Sequence, residues 1–159
     1  MVILGVDPGT NRVGYGIIKK TNHILEPVEF GCVEIQSGLD SNQNLKEIYD
    51  SVCNIIIRHN PDVLVIEKLF FFKNAKTITR VSEARGVIIL AGLKNNLAIM
   101  EFTPLQVKQA VSAYGRADKS AVQKMVKIIL GLEKEPKPDD TADALAIAIC
   151  CANTAVFEP

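Results

Sequence analysis

The sequence predicts an α/β protein built on a mixed sheet, and three observations carry that reading. The first 37 residues alternate or run apolar in short stretches broken by turn residues, as in an antiparallel meander. From residue 44 the apolar spacing lengthens to three or four, and helices and strands then alternate. After residue 104 only helical patterns remain. Three antiparallel strands, two more that each follow a helix, and closing helices make a five-stranded mixed sheet flanked by helices.

Each element has its own signal. Residues 2–7, VILGVD, form a short buried strand, and Pro8-Gly9-Thr10 then turns the chain. VGYGIIKK places a second strand near 13–20, and FGCVEIQS a third over 30–37. In NLKEIYDSVCNIIIRH, Leu45, Ile48, Tyr49, Val52, Ile55 and Ile56 share one face of a helix. PDVLVIE, residues 61–67, is an apolar strand behind a Pro-Asp start. NAKTITRVSEARGVIILAGLKNN, residues 74–96, is helical, and LAIMEFTP is a short strand over 97–104. Helices follow near 104–113, 118–131 and 140–153.

At 159 residues the chain is expected to be a single domain, 1–159, able to bury roughly 70% of its unfolded surface. No apolar stretch reaches the ~18–20 residues of a membrane span, and the start lacks the features of a signal peptide. A cytoplasmic protein without membrane attachment is expected. Cys32, Cys53, Cys150 and Cys151 show no CxxC spacing and read as reduced thiols. Net charge is zero, but it is unevenly distributed. Between Lys68 and Lys127 eleven Lys or Arg outnumber three acids, Glu83, Glu101 and Asp118, so that segment carries +8 and the flanks −8. A basic middle beside an acidic cluster suits a polyanionic partner.

Four of the acids stand out. Asp7 ends the first apolar strand, and Glu67 ends VLVIE with four apolar residues before it. An unpaired charge buried at such a place costs several kcal/mol. In KPDDTADALAIAICCA, Asp140 is placed to cap a helix and Asp143 falls in its first turn, three residues on and so on the same face. Asp7 could simply close its strand into a turn and Asp140 could be an ordinary cap, whereas nothing in packing favours Glu67, and Asp143 sits among Ala142, Ala144, Leu145 and Ala146. Together they bring carboxylates from three elements to apolar sites, where repulsion calls for a cation. Oxygen donors with few histidines point to Mg²⁺ or Mn²⁺. Four carboxylates can hold two such ions ~3.5–4 Å apart, the arrangement for in-line displacement at phosphorus.

The chain resembles the RuvC-type Holliday junction resolvases, metal-dependent endonucleases of the ribonuclease H-like fold. The matching stretches are GVDPGTNRVGYGII at 5–18, VIEKLFFFKNAKT at 65–77, ARGVIILA at 84–91, TPLQVKQAVSAYGRADKSAVQKMV at 103–126 and DDTADALAIAI at 139–149. The resemblance implies Asp7, Glu67, Asp140 and Asp143 as catalytic, metal-binding acids, with two Mg²⁺ per site and Mn²⁺ as a substitute. Asp140 is preferred to Asp139 because two residues separate the family's last two acids. The resemblance further implies that Lys108 and Lys119 hold scissile-strand phosphates, and that Phe70 stacks on an unpaired base. Its implied partners are four-way junction DNA and a branch-migration motor of the RuvA and RuvB type.

A homodimer is expected, because two symmetric nicks are most simply made by two sites on a two-fold axis. The stretch Val87 to Leu93 has no polar face and is the candidate contact. Rival readings are weaker. A YqgF-type nuclease shares DPGTNRVG but not VIEKLFFF. An actin-like nucleotide binder needs two lobes and usually more than twice this length. A purely DNA-binding module gains nothing from a negative cluster.

Overall fold

The fold comes from a computed structural model that describes residues 1–36, 38, 40–68, 75–112 and 118–154, with 75–77 described by their backbone alone. Three strands open the chain: β1 (Val2–Asp7), β2 (Arg12–Thr21) and β3 (Ile24–Glu34). Then come α1 (Ser41–His59), β4 (Val63–Glu67), α2 (Ala75–Lys94) and β5 (Ala98–Phe102). Three helices close it, α3 (Pro104–Ser112), α4 (Lys119–Ile129) and α5 (Asp139–Thr154). The strands form one five-stranded sheet in the order β3-β2-β1-β4-β5. β1, β2 and β3 pair antiparallel, while β4 and β5 join β1 in parallel. The mixed α/β sheet expected from the sequence is the one observed.

The third strand differs from its expected span of 30–37, beginning at Ile24 and ending at Glu34. Its early half, ILEPVE, contains a proline, which ordinarily argues against a strand. β3 lies at the sheet edge, where a missing N–H is tolerated, and the register shifts between Ile17 and Ile18 opposite that half. Asn22, with φ 56°, takes the left-handed position that turns β2 back into β3.

Strand alternation divides the apolar side chains between two cores. Leu4, Val6, Leu64 and Ile66 join the core under α1 and α2. Ile3, Val63 and Val65 join the opposite core, which α3, α4 and α5 cover. Between Thr141 and Ala152 every residue of α5 is buried except Asp143. α5 lies so close to the sheet that glycines line its track. A Cβ on Gly5 would stand 2.2 Å from the Ala144 carbonyl oxygen, and one on Gly14 2.0 Å from that of Asp140. The glycines of GVDPGTNRVGYG therefore seat the helix that carries the last two acids. All four cysteines are free thiols.

Candidate active site

Period-two alternation sends Asp7 and Glu67 to the same face of the sheet. Asp7 has the parity of Ile3, and Glu67 that of Val63 and Val65, so both carboxylates leave the sheet on the α5 side. Val6 pairs with Ile66 in the parallel ladder, which makes the two acids neighbours at adjoining strand ends. β1 also sits where the sheet changes from antiparallel to parallel pairing. Such a junction, at the carboxyl ends of strands, is where open α/β sheets leave a crevice.

Local structure brings the remaining groups to that crevice. Thr103 and Gln106 bond reciprocally at the start of α3, Gln106 N to Thr103 Oγ1 at 3.2 Å and Thr103 N to Gln106 Oε1 at 2.8 Å. With Pro104 in the first turn, Lys108 lies one turn further along the same face. Asp118 caps α4, accepting from Ala121 N at 2.7 Å, which puts Lys119 at the first helical position. Asp7, Glu67, Asp143, Lys108 and Lys119 together line a cavity of about 200 Å³, with Val107, Val122 and Ile147 among its walls.

Asp140 stands apart from that lining. It is the second residue of α5, which begins at Asp139, so it does not cap the helix as the sequence suggested. In the first turn Thr141 N bonds to the Pro138 carbonyl at 3.0 Å. The half-buried Asp140 carboxylate pairs with Arg12 at 3.6 Å. Asp139 is exposed, accepts from Gln123 Nε2 at 2.7 Å and lies 3.7 Å from Lys119 Nζ. Phe70, with Phe71 and Phe72, lies outside the described residues. No local signal in GVDPGTNRVGYGII gives Arg12 a role, because its partner is 128 residues away in sequence.

The electrostatics record how crowded these acids are. Burial pushes the Asp7 carboxyl up to about 8, and the nearby Asp143, Glu67 and Asp140 charges push the same way against Lys119. Burial also raises Glu67, with Asp143 adding to it while Lys108 and Lys119 oppose. Asp143 is raised chiefly by burial, although Lys119 Nζ sits 3.2 Å away and works against the shift. Burial acts to lower Lys119, but Asp143, Asp139 and Asp7 outweigh it and hold the ammonium above its ordinary range.

This donor set suits a hard divalent cation: it is all oxygen, partly desolvated and short of positive charge. Among the described residues no three acidic, histidine or cysteine side chains are already gathered closely enough to chelate one. Lys119 serves Asp143 instead. Accommodating a cation requires the carboxylates to turn toward it and away from that ammonium.

A mixed sheet in this strand order, with acids at the ends of two adjoining parallel strands, has the ribonuclease H-like architecture. The family model of crossover junction endodeoxyribonuclease RuvC matches residues 3–151. A crossover junction endodeoxyribonuclease RuvC from Halothermothrix orenii is 54% identical over 97% of this chain and 93% of its own. The solved Thermus thermophilus RuvC structure superposes with a TM-score of 0.85 at 30% identity, over 96% of this chain and 93% of that one. T. thermophilus RuvC in complex with Holliday junction substrate gives 0.86 at 28% identity, with the same coverage of each chain. The chain belongs to the RuvC family of crossover junction endodeoxyribonucleases.

Proposed function

We propose that this protein resolves four-way DNA junctions by paired symmetric nicks, as a homodimer with one metal-dependent site per subunit. The observation that carries the reading is the meeting of Asp7, Glu67 and Asp143 at one cavity beside Lys108 and Lys119. A polyanion binder has no use for the acids, and a site without DNA has little use for the lysines. Asp140, beside Arg12, completes the acidic set from the rim.

Two Mg²⁺ ions, with Mn²⁺ able to substitute, would lower the pKa of an attacking water and stabilise the leaving oxygen. Asp7, Glu67, Asp140 and Asp143 are the residues that would hold them. Lys119 and Lys108 offer positive charge to the phosphate and to the charge that builds up during displacement. An incoming phosphate would compete with Asp143 for Lys119, and the Asp143 carboxylate would then be available to hold a metal. Phe70, three residues past Glu67, stacks on a base left unpaired at the crossover, and a motor of the RuvA and RuvB type delivers the junction.

The assay compares a mobile four-way junction, linear duplex and RNA–DNA hybrid in Mg²⁺. The junction should be cut in symmetric pairs and the others poorly. Preferential cutting of the hybrid would transfer the protein to the YqgF-type nuclease reading.

Two features of α2 support a dimer contact there. Gly86, Leu90 and Leu93 recur at spacings of four and three, and both leucines are about half exposed or more, at 50% and 56%. A Cβ on Gly86 would meet no described atom within 4 Å. A mid-helix glycine costs about 1 kcal/mol relative to alanine, and nothing among the described residues makes use of the space at Gly86. Close approach of a second copy's α2 would use it. Ile88 is fully buried and Ile89 packs against the α1/α2 core, so Leu90 is the better place to test the face. Leu90→Arg counts twice in a two-fold interface and should raise the dimer dissociation constant about 100-fold. Sedimentation equilibrium reads this, and the monomer's melting temperature should hardly change. A wild-type protein that stays monomeric yet nicks in pairs would refute the dimer.

A further inference from the structure

α2 covers the face of the sheet opposite the cavity, yet one of its side chains reaches the strand end that carries Glu67. Arg85 Nε donates to the main-chain carbonyl of Glu67 at 3.3 Å. The same guanidinium forms an ion pair through Nη2 with Glu101 Oε1 on β5. The arginine is well covered, its side chain 18% exposed. Arg85 is the second residue of the stretch ARGVIILA, and it lies outside the cavity lining.

The peptide around Glu67 needs such a tether. The register between β1 and β4 ends at Val6 and Ile66, so Glu67 stands one residue beyond that ladder. On the other side β5 still holds the chain, with Glu67 opposite Phe102 and Lys68 N bonded to the Phe102 carbonyl at 2.8 Å. Glu101 is opposite Ile66, which places the carboxylate that anchors Arg85 one residue from the same point. The guanidinium therefore spans the end of β4 and the neighbouring strand from a third element. Its planar fork can serve two acceptors at fixed angles, which a lysine ammonium does not do.

We propose that Arg85, anchored by Glu101, is a positioning residue: it fixes the Glu67 peptide so that the Glu67 carboxylate enters the metal cavity on the opposite face. This rests on the reading of Glu67 as a metal-holding acid. Arg85 touches neither substrate nor metal. It acts through the backbone of the acid, as outer partners of metal ligands generally do.

Calorimetric titration of metal-free protein with Mn²⁺, alongside melting temperatures, tests it without an activity assay. Glu67→Gln should weaken Mn²⁺ binding and so establish the ligand. Arg85→Met should weaken it by roughly 10–100-fold in a protein that remains folded. Arg85→Lys keeps a cation for Glu101 but loses the fork, so it should recover melting temperature while Mn²⁺ binding stays at least about tenfold weak. If Arg85→Met fails to fold, Arg85→Lys carries the same criterion. Arginine variants that bind Mn²⁺ like wild type, while Glu67→Gln does not, would reduce Arg85 to a clamp between α2 and β5. If Glu67→Gln itself binds Mn²⁺ like wild type, the metal reading falls and this inference with it.

Discussion

Asp7→Asn is expected to reduce junction cleavage by ~1,000-fold or more while leaving junction binding nearly intact. Removing a negative charge cannot weaken attraction to phosphates, so gel shifts without divalent metal should match wild type or tighten slightly. The same substitution has a second, independent signature. In the folded protein the Asp7 carboxyl holds its proton up to about 8, against an ordinary value of 3.8. Between those two values folding takes up a proton, so this group's contribution is fully present below 3.8 and is lost as pH rises through about 8. Metal-free wild type should therefore lose stability across that window, and Asp7→Asn should lose less. At pH 8.5 the variant should melt above wild type, with the gap narrowing toward pH 4. Mg²⁺ should restore the wild type most at high pH, because protons and metal compete for the same oxygens. An Asp7→Asn protein that cuts junctions at near wild-type rate in Mg²⁺ would end the assignment.

The acids were legible because a carboxylate closing an apolar strand is conspicuous in sequence. Asp7 and Glu67 both have that form, and strand parity then delivers them to one face. Where their partners would lie was less legible. Arg12 and Asp140 come together only because α5 crosses β2, and Arg85 finds Glu67 and Glu101 only because α2 packs over β4 and β5. Such contacts depend on the three-dimensional path, and no local period announces them. The early half of the edge strand, before Phe30, was illegible for the opposite reason. Pro27 is a strong local signal against a strand, and an edge position with a register shift overrides it. The cap assigned to Asp140 shows how weak helix boundaries are: a start two residues earlier, at Asp139, changes the role of that carboxylate.

Gly14→Ala should disable the site through one methyl group added beside Asp7 and Asp140, with every candidate metal-holding side chain left in place. Gly14 pairs with Asp7 across β1 and β2, and the Asp140 carbonyl lies directly above it. A Cβ there would stand 2.0 Å from that oxygen, and the neighbour is backbone, which has no rotamer to give. The start of α5 must lift, carrying Asp140 and Asp143 away from Asp7. Overpacking of this kind costs about 1–3 kcal/mol, or several degrees of melting temperature in a chain of this size. Displacing catalytic groups by even ~1 Å can cost ~100-fold in rate, so cleavage should fall by about that much while junction binding is largely kept. Gly16→Ala provides the contrast. Its Cβ would press mainly on the Leu145 side chain, at 2.6 Å, which can repack. Gly16→Ala should therefore lose comparable stability yet keep most of its cleavage activity. Equal losses of cleavage in the two variants, tracking their melting temperatures, would mean that the glycines serve the fold alone. Near wild-type cleavage by Gly14→Ala would mean that α5 has more freedom over the sheet than this contact allows.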